Sequence, residues 1–273
     1  MEPLESRLNP FDRTRRVTCL GIDTFVAEAG QGRPILFLHG NPDTHDAWSG
    51  VVALLEQEFA CFAPDLPGYG ESQPQEDLEL EKQGEWVREL IAALGLQRPH
   101  LVVHDVGGTY GLAFTAMYPE LISTLTILNT NFFPDYRWHF WGRVWRTPVL
   151  GELAMLTAFR ALFVNEMTKA SPRLPRDYAE SAFARYGSKT RKMVLRYYRY
   201  LDSERLVGWD VRLLKALDTL PHQVLWGDLD TYLPKATADR FGGEVHHFAG
   251  LGHWAMLEEP QRIASHLATF ARR

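Results

Sequence analysis

The stretch Leu101-Val-Val-His-Asp-Val-Gly-Gly-Thr-Tyr110 decides how this chain is organised. A run of apolar, β-branched residues ends in His104-Asp105, and two glycines and the apolar periodicity of a helix follow. This order predicts a strand, a sharp turn and a helix with Asp105 at the apex, as in a nucleophile elbow. Gly107 supplies the small residue two places after Asp105, whereas Val103 stands where the motif usually has a second glycine. An aspartate that caps an ordinary strand–helix junction is the alternative interpretation.

Strand and helix patterns alternate on both sides of this stretch. Short apolar runs predict the strands, and amphipathic segments between them predict helices, the last over about 255–271. The strands are predicted at residues 16–29 (a hairpin), 34–40, 61–65, 101–105, 121–129, 222–228 and 244–249. This alternation predicts an α/β fold with a doubly wound, mostly parallel sheet.

The alternation stops in one long internal segment. From about 131 to 215 the chain has no convincing strand pattern and is rich in aromatic residues on helical patterns. We therefore predict a core domain formed by residues 1–130 and 216–273, and an inserted helical cap domain of residues 131–215. An insertion at the carboxyl edge of a sheet is well placed to cover a site there.

Composition limits the partners and the location of the protein. The net charge of −5 and the pI near 6.1 give no electrostatic reason to expect nucleic acid or an anionic membrane. The N-terminus has no apolar signal core and no segment approaches the length of a membrane span, so we expect a cytoplasmic protein.

The basic segment 185–196 is expected to be a solvated helix face. Cys19 and Cys61 are expected to be buried free thiols, with a disulfide as the alternative.

Three polar residues follow the ends of predicted strands. Asp105, Asp230 and His253 occur in the chain order nucleophile, acid, histidine. A turn residue is the alternative role for Asp230, and Asp228 competes with it as the acid. A single histidine is more often structural, but glycines flank His253 and both carboxylates precede it in order. His104 adjoins Asp105 but points to the other face if strand alternation holds, so we predict a structural role for it.

These motifs resemble those of α/β-hydrolases that use an aspartate nucleophile, namely epoxide hydrolases and haloalkane dehalogenases. The resemblance covers essentially the whole core and also matches the inserted cap in position and helical character. It implies the α/β-hydrolase fold, a small hydrophobic substrate with water as the second reactant, and no metal or other cofactor. The oligomeric state stays open. The motifs that carry the resemblance are His39-Gly-Asn-Pro42, Asp65-Leu-Pro-Gly-Tyr-Gly-Glu-Ser72, His104-Asp-Val-Gly-Gly108, Gly227-Asp-Leu-Asp230 and Gly252-His253.

A carboxylate nucleophile has a chemical meaning. Asp105 can displace a leaving group at an sp³ carbon and form an alkyl-enzyme ester. His253, oriented by Asp230, would then activate a water that attacks the ester carbonyl. The resemblance and the elbow geometry nominate the backbone N–H groups of Asn41 and Val106 as the oxyanion hole.

The resemblance leaves two activities open, because they differ in what stabilises the leaving group. Dehalogenases of the family typically carry a tryptophan directly after the nucleophile, and Val106 offers no side-chain donor there. Epoxide hydrolases use cap tyrosines as acids, and Arg196-Tyr-Tyr-Arg199 resembles that motif. It nominates Tyr198, with Tyr136 as the second tyrosine. Packing in the cap core is the alternative role for Tyr197 and Tyr198.

Other residues favour dehalogenation. Asn41 stands where dehalogenases often carry a halide-binding amide, and three cap tryptophans, Trp138, Trp141 and Trp145, are candidate halide donors. We weigh the missing tryptophan at position 106 most heavily and predict an epoxide hydrolase, with a haloalkane dehalogenase second. The third alternative is another α/β-hydrolase activity or a non-catalytic binding module. The predicted pocket residues are His39, Trp138, Trp141 and Tyr197.

Overall fold

The computed structural model describes residues 9–273, so the first eight residues of the predicted core domain lie outside the described residues. Eight strands form one sheet. The strands are β1 (Arg13–Cys19), β2 (Ile22–Ala29), β3 (Arg33–Leu38), β4 (Phe59–Pro64), β5 (His100–His104), β6 (Thr124–Leu128), β7 (His222–Gly227) and β8 (Glu244–Phe248).

The strand order is β1-β2-β4-β3-β5-β6-β7-β8. Only the β1–β2 and β2–β4 pairs are antiparallel, and β3 to β8 run parallel. Every residue of the central strands β5 and β6 is buried, which fits a parallel sheet covered on both faces. The prediction of an α/β-hydrolase fold with a mostly parallel sheet is confirmed.

Twelve α-helices accompany the strands in the described part of the chain. They are α1 (Ser49–Leu55), α2 (Leu80–Ala93), α3 (Val106–Met117), α4 (Phe140–Arg146), α5 (Leu150–Leu156), α6 (Arg160–Ala170), α7 (Arg176–Arg185), α8 (Ser188–Tyr200), α9 (Trp209–Leu217), α10 (Ala236–Arg240), α11 (Ala255–Glu258) and α12 (Pro260–Ala271). Short 3-10 turns occur at His45–Trp48, Pro119–Leu121 and Ser203–Leu206.

The buried apolar residues form two clusters. Helices α2, α3 and α9 contribute Trp86, Tyr110 and Leu213 to one cluster, while α1 and α12 contribute Val52 and Leu267 to the other. The split is what a doubly wound sheet with helices on both faces requires, because each face needs its own apolar cover.

Helices α4 to α8 follow β6 without an intervening strand, at the position predicted for the cap. Helix α9 instead packs against α3 of the core. The division at residues 131–215 stays a prediction, but this packing associates the last helix before β7 with the core rather than with the inserted segment.

The basic face of α8 contacts the core. The Lys189 ammonium donates to the carbonyls of Gly70 and Ser72 at 2.6 and 2.9 Å. The Arg196 guanidinium donates to the Glu76 carbonyl at 2.7 Å and to the Glu76 carboxylate at 3.1 Å. The prediction that this basic segment is a solvated face is therefore wrong for these two side chains, which bind the loop between β4 and α2.

Two further expectations concern the thiols and the membrane. Cys19 and Cys61 are both buried and unpaired, so the two cysteines form no disulfide with each other. In residues 9–273, no helix combines the length and the apolar character needed to cross a bilayer.

Candidate active site

The turn after β5 places Asp105 at its apex. Asp105 adopts φ 47° and ψ −117°, a backbone conformation that residues other than glycine rarely take. The Gly107 N–H donates to the His39 carbonyl at 2.9 Å, and a Cβ at this glycine would come within 2.5 Å of the carbonyl oxygens of Leu38 and His39. The Asp105 side chain makes no capping hydrogen bond to α3. The alternative interpretation of Asp105 as an ordinary helix cap is thus removed.

Asp105, His253 and Asp230 converge at the carboxyl edge of the sheet. The His253 Nε2 lies 3.6 Å from Asp105 Oδ2, and its Nδ1 lies 2.7 Å from Asp230 Oδ2. The His253 side chain is 1% exposed and that of Asp230 is 1% exposed, whereas the Asp105 carboxylate is 20% exposed. His253 therefore contacts Asp230 through Nδ1 and faces Asp105, the more exposed of these two carboxylates, through Nε2.

Asp230 is held by donors on both oxygens. The Asn129 amide donates to Oδ2 at 2.8 Å, and the backbone N–H groups of Tyr232 and Leu233 donate to Oδ1 at 2.7 and 3.1 Å. Asp228, the competing candidate, lies 2.6 Å from His247 instead. The geometry therefore favours Asp230 as the partner of His253. Sequence reasoning missed Asn129, although a polar residue directly after a buried strand was a signal for it.

The residue after Asn129 supports the nucleophile. The Thr130 hydroxyl donates to the backbone carbonyl of Asp105 at 2.7 Å. A Cβ on Gly108 would meet this hydroxyl at 1.9 Å, so the first turn of α3 packs directly on Thr130. The last two residues before the predicted cap thus hold both the acid and the nucleophile turn.

The backbone N–H groups predicted to form the oxyanion hole face the Asp105 carboxylate. The Asn41 N–H donates to Asp105 Oδ1 at 2.8 Å. The Val106 N–H, at the start of α3, also lowers the pKa of this carboxylate. Since Oδ1 accepts from Asn41 and Oδ2 faces His253, the two oxygens of Asp105 have different surroundings.

Burial and charge set the protonation of this pair. Burial raises the pKa of Asp105, although the His253 charge and the two N–H donors act in the opposite direction. Burial also lowers the pKa of His253, but Asp230, Asp105 and Asp43 outweigh it and raise that pKa to about 9. His253 is therefore an imidazolium at neutral pH.

Sequence reasoning also missed a third buried carboxyl group. Asp43 accepts from the Tyr178 hydroxyl at 2.9 Å and from the Trp254 indole N–H at 2.8 Å. Burial raises the pKa of Asp43 to about 6, against the effect of these two donors. Because Tyr178 belongs to α7 and Trp254 adjoins His253, this carboxyl group connects the inserted helices to the triad.

A largely apolar cavity of about 140 Å³ lies beside the triad. Asn41, Asp105 and Val106 line it from the core, together with His253. The predicted cap residues Tyr136, Trp138, Trp141, Tyr197 and Tyr198 all line it, as does Trp145. In the described residues, no group of three or more His, Cys, Asp or Glu side chains is arranged to hold a metal ion.

Two histidines lie below the cavity. The prediction that His39 lines the pocket is wrong, because its Nδ1 contacts the Gly40 carbonyl at 2.8 Å and its Nε2 accepts from the Leu66 N–H at 2.9 Å. His104 is also fully buried, and its Nε2 lies 2.9 Å from the backbone carbonyl of His253. Both rings contact protein atoms that shape the site, and neither is among the residues that line the cavity.

Five tyrosines line the cavity, and the three predicted ones, Tyr136, Tyr197 and Tyr198, differ in what their hydroxyls contact. The Tyr136 hydroxyl donates to the Tyr232 carbonyl at 3.0 Å, and the Tyr197 hydroxyl pairs with Thr109 at 2.8 Å. In residues 9–273, no group forms a hydrogen bond with the Tyr198 hydroxyl, while the Tyr198 ring packs on Trp138 and Trp145. Burial is the larger cause and the charge of Asp105 the second cause of a raised pKa of Tyr198, so its hydroxyl stays protonated at neutral pH.

A family model described as the alpha/beta hydrolase fold matches residues 33–260. This chain belongs to the α/β-hydrolase family. The matched residues include Asp105, Asp230 and His253, so all three converging side chains lie in the part of the chain that the family model covers.

Known proteins similar to this α/β-hydrolase have several activities. A cis-3-alkyl-4-alkyloxetan-2-one decarboxylase of Shewanella oneidensis is 27% identical over 88% of this chain and 82% of its own length. A mutant haloalkane dehalogenase from Agrobacterium tumefaciens has a TM-score of 0.81 at 24% identity, over 98% of this chain and 99% of its own. An epoxide hydrolase from Vigna radiata has a TM-score of 0.76 at 22% identity, over 95% and 98%. The two solved structures show the shared fold.

Epoxide hydrolases and haloalkane dehalogenases occur among both the sequence relatives and the structural neighbours. The findings therefore support a hydrolase of the family that contains these two groups of enzymes.

Proposed function

We propose that this protein is an epoxide hydrolase that opens an epoxide to a vicinal diol through an ester on Asp105. The observation that carries the proposal is the Tyr198 hydroxyl, which lines the cavity with Asp105 and has no hydrogen-bonding partner among the described residues. Epoxide opening needs an acid at the ring oxygen, and Tyr198 is the cavity tyrosine whose proton no described group engages.

The first step forms the ester. Asp105 Oδ1 already accepts from Asn41, so Oδ2 is the oxygen that attacks a ring carbon. The carbon–oxygen bond of the ring breaks, and the leaving oxygen takes the Tyr198 proton and becomes a hydroxyl on the same carbon skeleton. Oδ1 becomes the carbonyl oxygen of a hydroxyalkyl ester in the oxyanion hole.

The second step hydrolyses that ester. Esterification removes the charge of Asp105, which is one of the groups that raise the pKa of His253, so the pKa of His253 falls when the ester forms. The imidazolium then gives its proton, through solvent, to the Tyr198 phenolate left by the first step. The neutral imidazole takes a proton from water as the water attacks the carbonyl, and Asn41 and Val106 stabilise the oxyanion. Collapse releases the diol, whose oxygen takes the His253 proton. The remaining proton on Asp105 passes to His253 and restores the imidazolium and the carboxylate.

Trapping the ester tests this proposal. In His253→Gln the first step survives while ester hydrolysis is blocked, so an adduct should accumulate on the peptide that contains Asp105. Its mass should exceed that of the free peptide by a whole epoxide, because no atom leaves. Asp105→Asn is the matched control and should give no adduct. Failure of every epoxide tested to modify the His253→Gln protein would reject the proposal.

A haloalkane dehalogenase is the second candidate. It is favoured by two residues that line the cavity, Asn41 and Trp138, because the Trp138 indole N–H is a donor with no partner among the described residues. The same trapping experiment decides between the two, because a haloalkane leaves only its alkyl group on Asp105 and releases one halide per adduct. An alkyl adduct with stoichiometric halide and no epoxide adduct would identify the dehalogenase.

A further inference from the structure

The outer surface of the inserted helices carries a concentrated apolar patch. Of the eleven exposed large hydrophobic side chains in the described residues, seven lie between positions 140 and 162. We call the part on α5, the following loop and the start of α6 the cap rim. The cap rim consists of Leu150, Leu153, Leu156, Phe159 and Leu162. Single exposed apolar side chains are ordinary, but a run of this kind marks a binding surface.

The cap rim is exposed because α5 buries only its opposite side. Gly151 and Met155 are buried, and a Cβ on Gly151 would meet the Leu195 side chain of α8 at 3.0 Å. The leucines at 150, 153 and 156 therefore face away from α8, and Leu156 is 78% exposed.

The cap rim is continuous with the catalytic cavity. Phe159 is 69% exposed and Leu162 is 46% exposed, yet both also line the cavity that contains Asp105. The small residues Ala154 and Ala158 line the cavity in the same region. An apolar surface thus runs from the nucleophile, past α5 and α6, to the outside of the molecule.

The cavity is small compared with this surface. Its volume of about 140 Å³ is close to that of a protein cavity of about 150 Å³ that holds one benzene molecule. A substrate with more than about six carbon atoms therefore fills the cavity and has to continue beyond it. The cap rim offers the apolar surface on which the remainder can lie.

We propose that the cap rim is a subsite for a linear alkyl tail, so that the preferred substrates are long-chain aliphatic epoxides with the ring at Asp105. This inference rests on the proposed function. The tail leaves the cavity between α5 and α6 and covers Phe159, Leu162 and the outer leucines of α5, which removes apolar surface of both partners from water.

A series of terminal 1,2-epoxyalkanes from four to twelve carbons tests the subsite, with each substrate kept below its critical micelle concentration. Filling the cavity should raise kcat/KM by about fourfold per methylene group up to about six carbons. On the half-open cap rim, the increase should continue at about twofold per methylene group. A profile that is flat above six carbons would overturn the inference.

Substitutions on the cap rim locate the effect. The double variant Leu156→Ser, Phe159→Ser should lower the ratio of kcat/KM for the twelve-carbon over the four-carbon epoxide by about tenfold. Val211→Ser is the matched control, because Val211 is 65% exposed on α9 and does not line the cavity. Its ratio should be that of the parent protein. An equal loss at every chain length, or activity that depends on added neutral lipid vesicles, would show that the cap rim does not hold the tail.

Binding of unreactive ligands separates this inference from the proposed function. Primary n-alkyl carboxamides of four to twelve carbons can be followed by intrinsic tryptophan fluorescence, because Trp138, Trp141 and Trp145 line the cavity. Affinity that rises to twelve carbons and falls in the double variant supports the alkyl subsite even if no epoxide is turned over. Affinity that stops rising at six carbons refutes it even if epoxides are substrates.

Discussion

The charge state of His253 predicts how stability depends on pH. The surrounding carboxylates raise the pKa of this buried imidazole from 6.5 to about 9 in the folded protein. A raised pKa means that the folded protein binds the proton more tightly than the unfolded chain. The stabilisation is therefore fully present below pH 6.5 and is lost as the pH rises towards 9. A shift of this size corresponds to about 3 kcal/mol of the free energy of unfolding.

Urea unfolding at half-unit steps from pH 6 to 9, followed by tryptophan fluorescence, measures this loss. We compare the parent protein with His253→Gln, which cannot titrate at this position. The parent should lose about 3 kcal/mol more than the variant across that range. Two other histidines also have raised pKa values. At His45 burial lowers the pKa, but Asp65 and Asp46 outweigh it, and at His247 the hydrogen bond with Asp228 is the largest cause. Both histidines are present in both proteins, so their contributions to the pH dependence of stability cancel in the comparison.

Asp105→Asn provides a second comparison, because it removes one of the charges that raise the pKa of His253. Its stability should fall less between pH 6.5 and 9 than that of the parent. Parallel curves for the parent and His253→Gln would refute the assignment of an imidazolium in the free enzyme. An unchanged slope in Asp105→Asn would refute the argument that ester formation turns His253 into a base.

Three further outcomes follow from particular contacts. Asn129→Ala removes three hydrogen bonds of a fully buried amide, so urea unfolding should show a loss of about 3 kcal/mol, and single-turnover assays should show slower ester hydrolysis. Tyr136→Phe loses the hydrogen bond to the Tyr232 carbonyl, so it should reduce the free energy of unfolding by about 1 kcal/mol and keep the rate of epoxide opening within a few-fold of that of the parent. Tyr198→Phe should instead slow ring opening at least tenfold in stopped-flow assays without loss of stability. Gly107→Ala should destabilise the protein by about 3 kcal/mol in urea unfolding, because the added Cβ would collide with the backbone of Leu38 and His39. Gly187→Ala is the control and should change stability by less than about 1 kcal/mol, because the nearest atom to its added Cβ is 3.9 Å away.

Much of the catalytic geometry was predictable because it depends on where strands end. Asp105, Asp230 and His253 each follow a short apolar run, and the carboxyl ends of parallel strands meet at one edge of the sheet. The same rule, applied to amides as well as to ionisable groups, would have found Asn129 directly after β6.

Contacts across long sequence separations were not predictable. Lys189 and Arg196 appeared to lie on a solvated face, since their acceptors are more than a hundred residues away in the chain. His39 is predicted to line the pocket, but its ring accepts from the Leu66 N–H, a contact that no local pattern indicates. The pairing of Asp43 with Tyr178 across 135 residues has the same origin.

The positions of Asn129 and Thr130 bear on how such enzymes can diversify. These two residues end the predicted core immediately before the predicted insertion, and their side chains bind Asp230 and the carbonyl of Asp105. An exchange of the insertion that begins at residue 131 leaves these two contacts in place, whereas contacts made by the inserted helices, such as that of Tyr178 with Asp43, change with the insertion. An exchange that begins two residues earlier removes both contacts together. The junction is therefore a natural point for recombination between lids and cores.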